Sequence, residues 1–201
     1  LGKIYRIGDT HAVKTMLTAL SGGKGNATEG IKWLLKAANQ NLPEAQYEVG
    51  LAYELGQGVP KDERQSRIWY QRAIDLWRRR AEEGADSAAM TEIGFLYEIG
   101  RGVAKDEAEA LRWYERAAQL GNPSAEYNVG IAYLNGKLVT RDEVTALNWL
   151  SKAAEHGDGI AAWQLGEMYE TGTAVPADLS KALAWYRRAA ENGRWSFLAE
   201  Q

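Results

Sequence analysis

The sequence contains no cysteine, which excludes a disulfide framework, a thiolate metal site and a cysteine nucleophile. It has two histidines, His11 and His156, with no ligand pattern around either. His156 falls near a helix end and reads as a favourable terminal charge. No stretch is apolar for long enough to cross a membrane as a helix. A basic excess is missing as well. There are 24 Lys and Arg against 27 Asp and Glu, a net charge of −3, which is the wrong sign for binding a nucleic-acid backbone. The glycine-rich SGGKGNAT at 21–28 lacks the GxxxxGK[ST] spacing and a preceding strand, so it is no phosphate loop. It contains a formal glycosylation sequon at Asn26. No Ser-His-Asp or paired-carboxylate constellation stands out. The expectation is a chain with no catalytic residue, no metal and no cofactor.

What is present is a repeat. Apolar residues make up 45% of the chain, enough for a sizeable core, and eight Trp and ten Tyr stand against two Phe. Gly50, Gly94, Gly130 and Gly166 are 44, 36 and 36 residues apart. Tyr53, Tyr97, Tyr133 and Tyr169 keep that spacing, as do Asp62, Asp106, Asp142 and Asp178. So do Trp69, Trp113, Trp149 and Trp185, each followed four residues later by Ala73, Ala117, Ala153 or Ala189. Trp33 and Ala37 fit the frame, with Asn26 at the Asp position. Leu1, Gly2, Tyr5 and Gly8 read as the end of an earlier copy, so the chain is expected to be a piece of a longer array.

Each column has a physical reading. In EAQYEVGLAYELG the apolar residues fall at helical spacing. Gly50 is a poor helix former, so its recurrence implies close approach of a neighbouring backbone or large ring. Gly56, Gly100, Gly136 and Gly172 read as left-handed helix caps. Asp62 and its equivalents cap a second helix, and Asp106 with Glu109 reads as a capping box. The Trp column is expected to fill the space beside the small Ala and Gly columns. A single helix pair cannot bury its apolar face alone, so the pairs must stack.

The third copy, AMTEIGFLYEIGRGVAKDEAEALRWYERAAQLG, resembles the Sel1-like repeat, a relative of the tetratricopeptide repeat. The resemblance covers nearly the whole chain. It implies an all-α, right-handed α-solenoid of stacked antiparallel helix pairs that holds protein partners, is non-enzymatic, and is found mostly in bacteria. It implies no single activity or compartment. Leu138 and Ala174 replace the second loop glycine, Leu34 and Leu150 replace the Tyr after Trp, and Ser66 replaces Ala; all read as packing changes. The repeat boundaries expected are 1–41 (truncated, with an insertion at 9–25), 42–84, 85–121, 122–157 and 158–193. RWSFLAEQ at 194–201 then reads as a capping segment.

Two insertions break the period. Gly8 and Trp33 are 25 residues apart where later copies use 13. Ala12, Val13, Met16, Leu17 and Leu20 lie on one helical stripe between them, which predicts a short extra helix covering an edge. The second insertion, around IDLWRRRAEEGAD, lengthens a second helix by about two turns. Arg78–Glu82 and Arg79–Glu83 are spaced as i,i+4 pairs. Trp77 is expected to project from the overhang, where Trp77, Arg78 and Arg79 would suit a protein contact.

The first helices of such a solenoid line its concave face. The stripe Tyr47, Leu51 and Glu54 recurs as Phe95 and Glu98, Tyr127 and Ile131, and Trp163, Glu167 and Glu170. These columns vary while their neighbours repeat, as a ligand-tuned surface would. Aromatic anchors with acidic flanks would favour a basic or neutral segment. The leading expectation is therefore a monomeric scaffold or adaptor that binds a protein or peptide through this face. The alternative is a dedicated antagonist or immunity-type protein that grips one toxin or enzyme through its insertions and edges.

Overall fold

The computed structural model describes residues 27–191. Among them every regular element is an α-helix. The expected extra helix at Ala12–Leu20, the earlier copy at Leu1–Gly8 and the capping segment at 194–201 lie outside the described residues. No described helix is long and apolar enough to cross a membrane. The helices fall into two compact units.

The first unit holds α1 (Ala27–Ala38), α2 (Pro43–Leu55) and α3 (Glu63–Gly84), together with the turn Ile99–Lys105. Its core joins Ile31, Leu34 and Ala38 of α1 to Ala45, Val49 and Ala52 of α2 and Trp69 of α3. Helix α3 runs 22 residues against 13 in α2. The added turns do not overhang. Ile74, Trp77 and Ala81 are buried, because the helical period carries the inward stripe of Tyr70 and Ala73 straight through the insertion. Trp77 is 2% exposed, and its ring centroid lies 6.3 Å from that of Tyr47. The expectation of a projecting Trp77 is thus overturned. The ion pair that ties the extension back is Arg80 to Glu44, at 3.0 Å.

The second unit holds α4 (Ser87–Ile99, its last residue counted with the first unit), α5 (Glu107–Gln119), α6 (Pro123–Asn135), α7 (Glu143–Glu155), α8 (Gly159–Thr171) and α9 (Leu179–Glu191). A core of Leu150, Ala153, Ala154, Ala161, Ala162, Leu165, Met168 and Ala189 binds α7, α8 and α9.

The recurring helix glycine meets a side chain, though not the Trp. A Cβ on Gly50 would lie 2.7 Å from the Tyr70 ring, and one on Gly94 2.7 Å from that of Tyr114. Gly166 faces Tyr186 more closely still, and Gly130 faces Leu150 at 2.9 Å in the same sense. The residue after each Trp therefore fills the space, since it is turned about 100° further around the helix. The Trp instead carries a cation one turn on. Lys36 lies over Trp33, Arg72 over Trp69, Arg116 over Trp113, Lys152 over Trp149 and Arg188 over Trp185, at 4.1 to 5.4 Å.

The caps agree with the sequence. Oδ1 of Asp62, Asp106, Asp142 and Asp178 each accepts from a backbone N–H three residues on, at 2.9 to 3.0 Å. Only half the capping box forms at Asp106. Its own N–H donates to the Tyr97 carbonyl, and Glu109 turns to Arg112 at 2.6 Å. Leu138 and Ala174 are more than packing changes. Both hold φ of 62–67°, the left-handed conformation their glycine equivalents Gly58 and Gly102 adopt freely.

Candidate protein-binding surface

The first helices α2, α4, α6 and α8 carry the stripe singled out above. The burial of each stripe residue depends on how the next helix pair packs against it. Phe95 is 37% exposed. Tyr127 and Ile131 are half-buried and pack against the α7–α9 core, with Leu134 beside them. Burial, with the charges of Asp158 and Glu167, pushes the Tyr127 hydroxyl up. Trp163 is half-buried against Tyr186, centroids 4.7 Å apart. Glu167 and Glu170 are exposed. Together with Leu134, Gln164, Met168 and Arg141 they line an open cleft of about 510 Å³ between α6 and α8. Tyr47 and Leu51 in the first unit are half-buried.

The glutamates of the stripe are not a free acidic rim. Tyr70 OH donates to Glu54 at 2.5 Å, Tyr114 OH to Glu98 at 2.9 Å, and Tyr186 OH to Glu170 at 2.6 Å. Each pair spans 16 residues. The remaining described repeat has Leu134 and Leu150 at these two positions, an apolar pair where the others have a polar one. Burial, reinforced by the glutamate, pushes the Tyr70 and Tyr114 hydroxyls up, so both stay neutral donors. The tyrosines were absent from the sequence-derived site. The 16-residue Glu–Tyr spacing, with its Leu–Leu exchange, is the signal that marks them.

Glu54 has a further partner. Arg101 approaches its carboxylate from Nη2 at 3.0 Å and from Nε at 3.0 Å, and donates from Nη1 to Tyr47 OH at 2.8 Å. Burial raises the Glu54 carboxyl, but the Tyr70 and Arg101 bonds and the Arg101 charge outweigh it and hold it below the ordinary range. Of the alternative contact set, Trp77 is buried, Arg78 half-buried and Arg79 exposed. His156 caps α7 and brings Nδ1 to 2.8 Å from Glu126, a carboxylate buried to 1% exposure. Among the described residues no three His, Cys, Asp or Glu side chains are grouped to hold a metal.

Comparison with known proteins agrees with the helix-pair architecture. A Sel1 repeat protein from Oxalobacter formigenes superposes with a TM-score of 0.66 at 36% identity, over 95% of this chain and 74% of that one. A protective antigen of uropathogenic Escherichia coli, described as displaying an SLR fold, gives a TM-score of 0.57 at 27% identity, over 93% of this chain and 47% of that one. An immunity protein from Pseudomonas aeruginosa shares the fold, with a TM-score of 0.53 at 21% identity over 96% of this chain and 84% of that one. A chitin synthase regulator of Malassezia restricta is 42% identical over 48 residues, which is 24% of this chain and 3% of that protein. The Sel1 repeat pattern itself matches residues 16–42, 43–76, 87–122, 123–158 and 159–193, and on that evidence the chain belongs to the Sel1 repeat family.

Proposed function

We propose that the chain is a non-enzymatic scaffold that binds a protein or peptide through its first-helix face, with the second unit supplying Phe95, Glu98, Tyr127, Ile131, Trp163, Glu167 and Glu170. Sel1 repeat proteins generally mediate protein–protein interaction, which supports the class of function. The observation that carries the face is Phe95. It is a large ring left 37% exposed on the same stripe as half-buried Ile131 and Trp163 and exposed Glu167, whereas Ile93 and Leu96 of the same helix are fully packed. Apolar side chains with the exposed carboxylate of Glu167 beside them suit a partner segment with apolar anchors and a basic flank. Tyr47, Leu51 and Glu54 are the corresponding surface of the first unit.

The antagonist reading loses its anchor with Trp77 buried; it keeps Arg78 and Arg79 on α3, and its other element, the insertion at 9–25, lies outside the described residues. Affinity capture with three baits separates the two: the wild type, a Phe95→Ala/Glu167→Gln variant and an Arg78→Ala/Arg79→Ala variant. None of the four positions is fully buried, and circular dichroism checks that each variant folds. A partner retained by the wild type and the arginine variant, and lost from the Phe95 variant, is the expected result. Loss from the arginine variant alone would move the contact to α3.

A further inference from the structure

The turn Ile99–Lys105 of the first unit is seated further along its neighbouring helix than the equivalent turns are. Gly58 stands against the start of α1, where an added Cβ would lie 2.4 Å from the Ala27 carbonyl oxygen. Lys137 pairs with Glu107, at the start of α5, at 3.2 Å. Ala27 and Glu107 hold the same place in the frame, six residues before Trp33 and Trp113. Gly102 stands instead against Tyr70 and Ile74, a Cβ there falling 2.6 Å from the Tyr70 Cβ. Tyr70 follows Trp69 by one residue. The turn has therefore moved along α3 by about two helical turns, or 10 Å, the length by which the insertion extends that helix.

Position 67 shows what the move uncovers. Arg67 falls in the column of Ile31, Leu111 and Leu147. Ile31 and Leu111 are buried and Leu147 half-buried, whereas Arg67 is exposed. The column's apolar side chain would face water here, and the chain carries a guanidinium in its place. Arg64 and Ile68 are its neighbours on the helix surface. Both are exposed, Ile68 to 38%. The nearby carboxylates are engaged elsewhere. Glu63 pairs with Lys61, Asp62 accepts from the N–H groups of Arg64 and Gln65, and Asp75 accepts from Gln71. No described carboxylate pairs with the Arg64 or Arg67 side chain. The rest of the chain has the wrong charge to fill this place. Residues 1–26 carry Lys3, Arg6, Lys14 and Lys24 against Asp9, and residues 192–201 carry Arg194 against Glu200.

We propose that Arg64, Arg67 and Ile68 dock an acidic segment of a protein partner. This surface lies on a second helix and stands independently of the first-helix face. Two carboxylates one helical turn apart meet the two guanidinium groups, whose planar forks match them. An apolar neighbour on the segment covers Ile68. A nucleic-acid backbone fits less well, because α2, α4, α6 and α8 carry glutamates and neither Lys nor Arg, so a long polyanion would meet repulsion beyond this small patch.

The test titrates the full chain, isotope-labelled at arginine and isoleucine, with a capped helical peptide. The peptide is alanine-based, with two glutamates three residues apart beside one leucine; its glutamine counterpart is the control. Arg64→Gln, Arg67→Gln and Ile68→Val assign the signals. The expected result is a saturable shift of the Arg64 and Arg67 Nε–H and Ile68 methyl signals at millimolar peptide. Binding should be roughly fivefold weaker in Arg64→Gln or Arg67→Gln and should weaken as salt rises. Arg79 and Arg187, exposed on other turns, should not move. No saturable shift, an equal shift with the glutamine peptide, or equal movement of Arg79 and Arg187 overturns the proposal. So does a tighter response of the same signals to single-stranded DNA. The Phe95→Ala/Glu167→Gln variant should bind the peptide as the wild type does. Loss of binding there would place the peptide on the first-helix face and overturn the α3 site, whereas retention leaves the two surfaces to stand or fall separately.

Discussion

Gly94 has no side chain because the Tyr114 ring stands where one would be, and that contact is worth a direct measurement. Gly94→Ala gains helix propensity of about 1 kcal/mol but drives a methyl group to 2.7 Å from the ring. Overpacking costs about 1–3 kcal/mol, so the variant should be less stable in urea denaturation. Gly84 is the opposite case. Nothing lies within 4 Å of its missing Cβ, so Gly84→Ala should stabilise by up to about 1 kcal/mol. Ala174 sits at φ 62°, where a left-handed L-residue costs about 1–2 kcal/mol. Glycine relieves that at an entropic cost of about 0.5–1 kcal/mol, and Ala174→Gly should gain the difference. The sequence marked Gly94 and Ala174, because glycine recurs in the first column and is replaced in the second. It did not show which neighbour each glycine served. Trp and Tyr are adjacent in the chain, and only the helix phase decides which ring faces inward.

Helices are tied together by side chains one turn or one repeat apart. Asp158 caps α8 by accepting from Ile160 and Ala161 at 2.9 Å. Its replacement by Ala should cost about 1–2 kcal/mol, read as a drop in melting temperature. The α2–α3 tie has a pH signature. Glu54 titrates below its ordinary range because Tyr70 and Arg101 stabilise its charged form more than burial opposes it. A depressed folded pKa gives stability that is full above the unfolded value and is lost as pH falls through the folded one. The first unit should therefore weaken on acidification below the ordinary carboxylate range, and Arg101→Ala should flatten that dependence in acid melts. Helix ends were legible from Asp and Gly at fixed offsets. The inward course of the α3 insertion was not, although Tyr70, Ala73, Trp77 and Ala81 already keep to a helical stripe. The charged residues around Trp77 suggested a surface, and the apolar period carried more weight in the fold.

Among the described residues, packing runs within each helix pair and on to the next pair in the chain, and stability in such a molecule is held in nearest-neighbour terms. Leu165 is fully buried in the core that joins α7, α8 and α9. Leu165→Ala should cost about 2–5 kcal/mol. Hydrogen exchange should speed up in those three helices and stay unchanged in α1 and α2. Uniform acceleration along the chain would show that the repeats unfold as one cooperative body instead. The all-helical repeat class was open to reading from spacing alone. The exposure of the candidate face was less so, because it is set by the adjoining repeat: the same column holds exposed Phe95 and half-buried Ile131. Arg101 shows the other side of that dependence. A residue just past the end of one repeat's first helix completes the polar cluster of the repeat before it, so the repeats are not interchangeable beads. Exchanging the third and fourth copies would set Lys137 rather than Arg101 opposite Tyr47 and Glu54, so the cluster records the order in which its neighbours are strung.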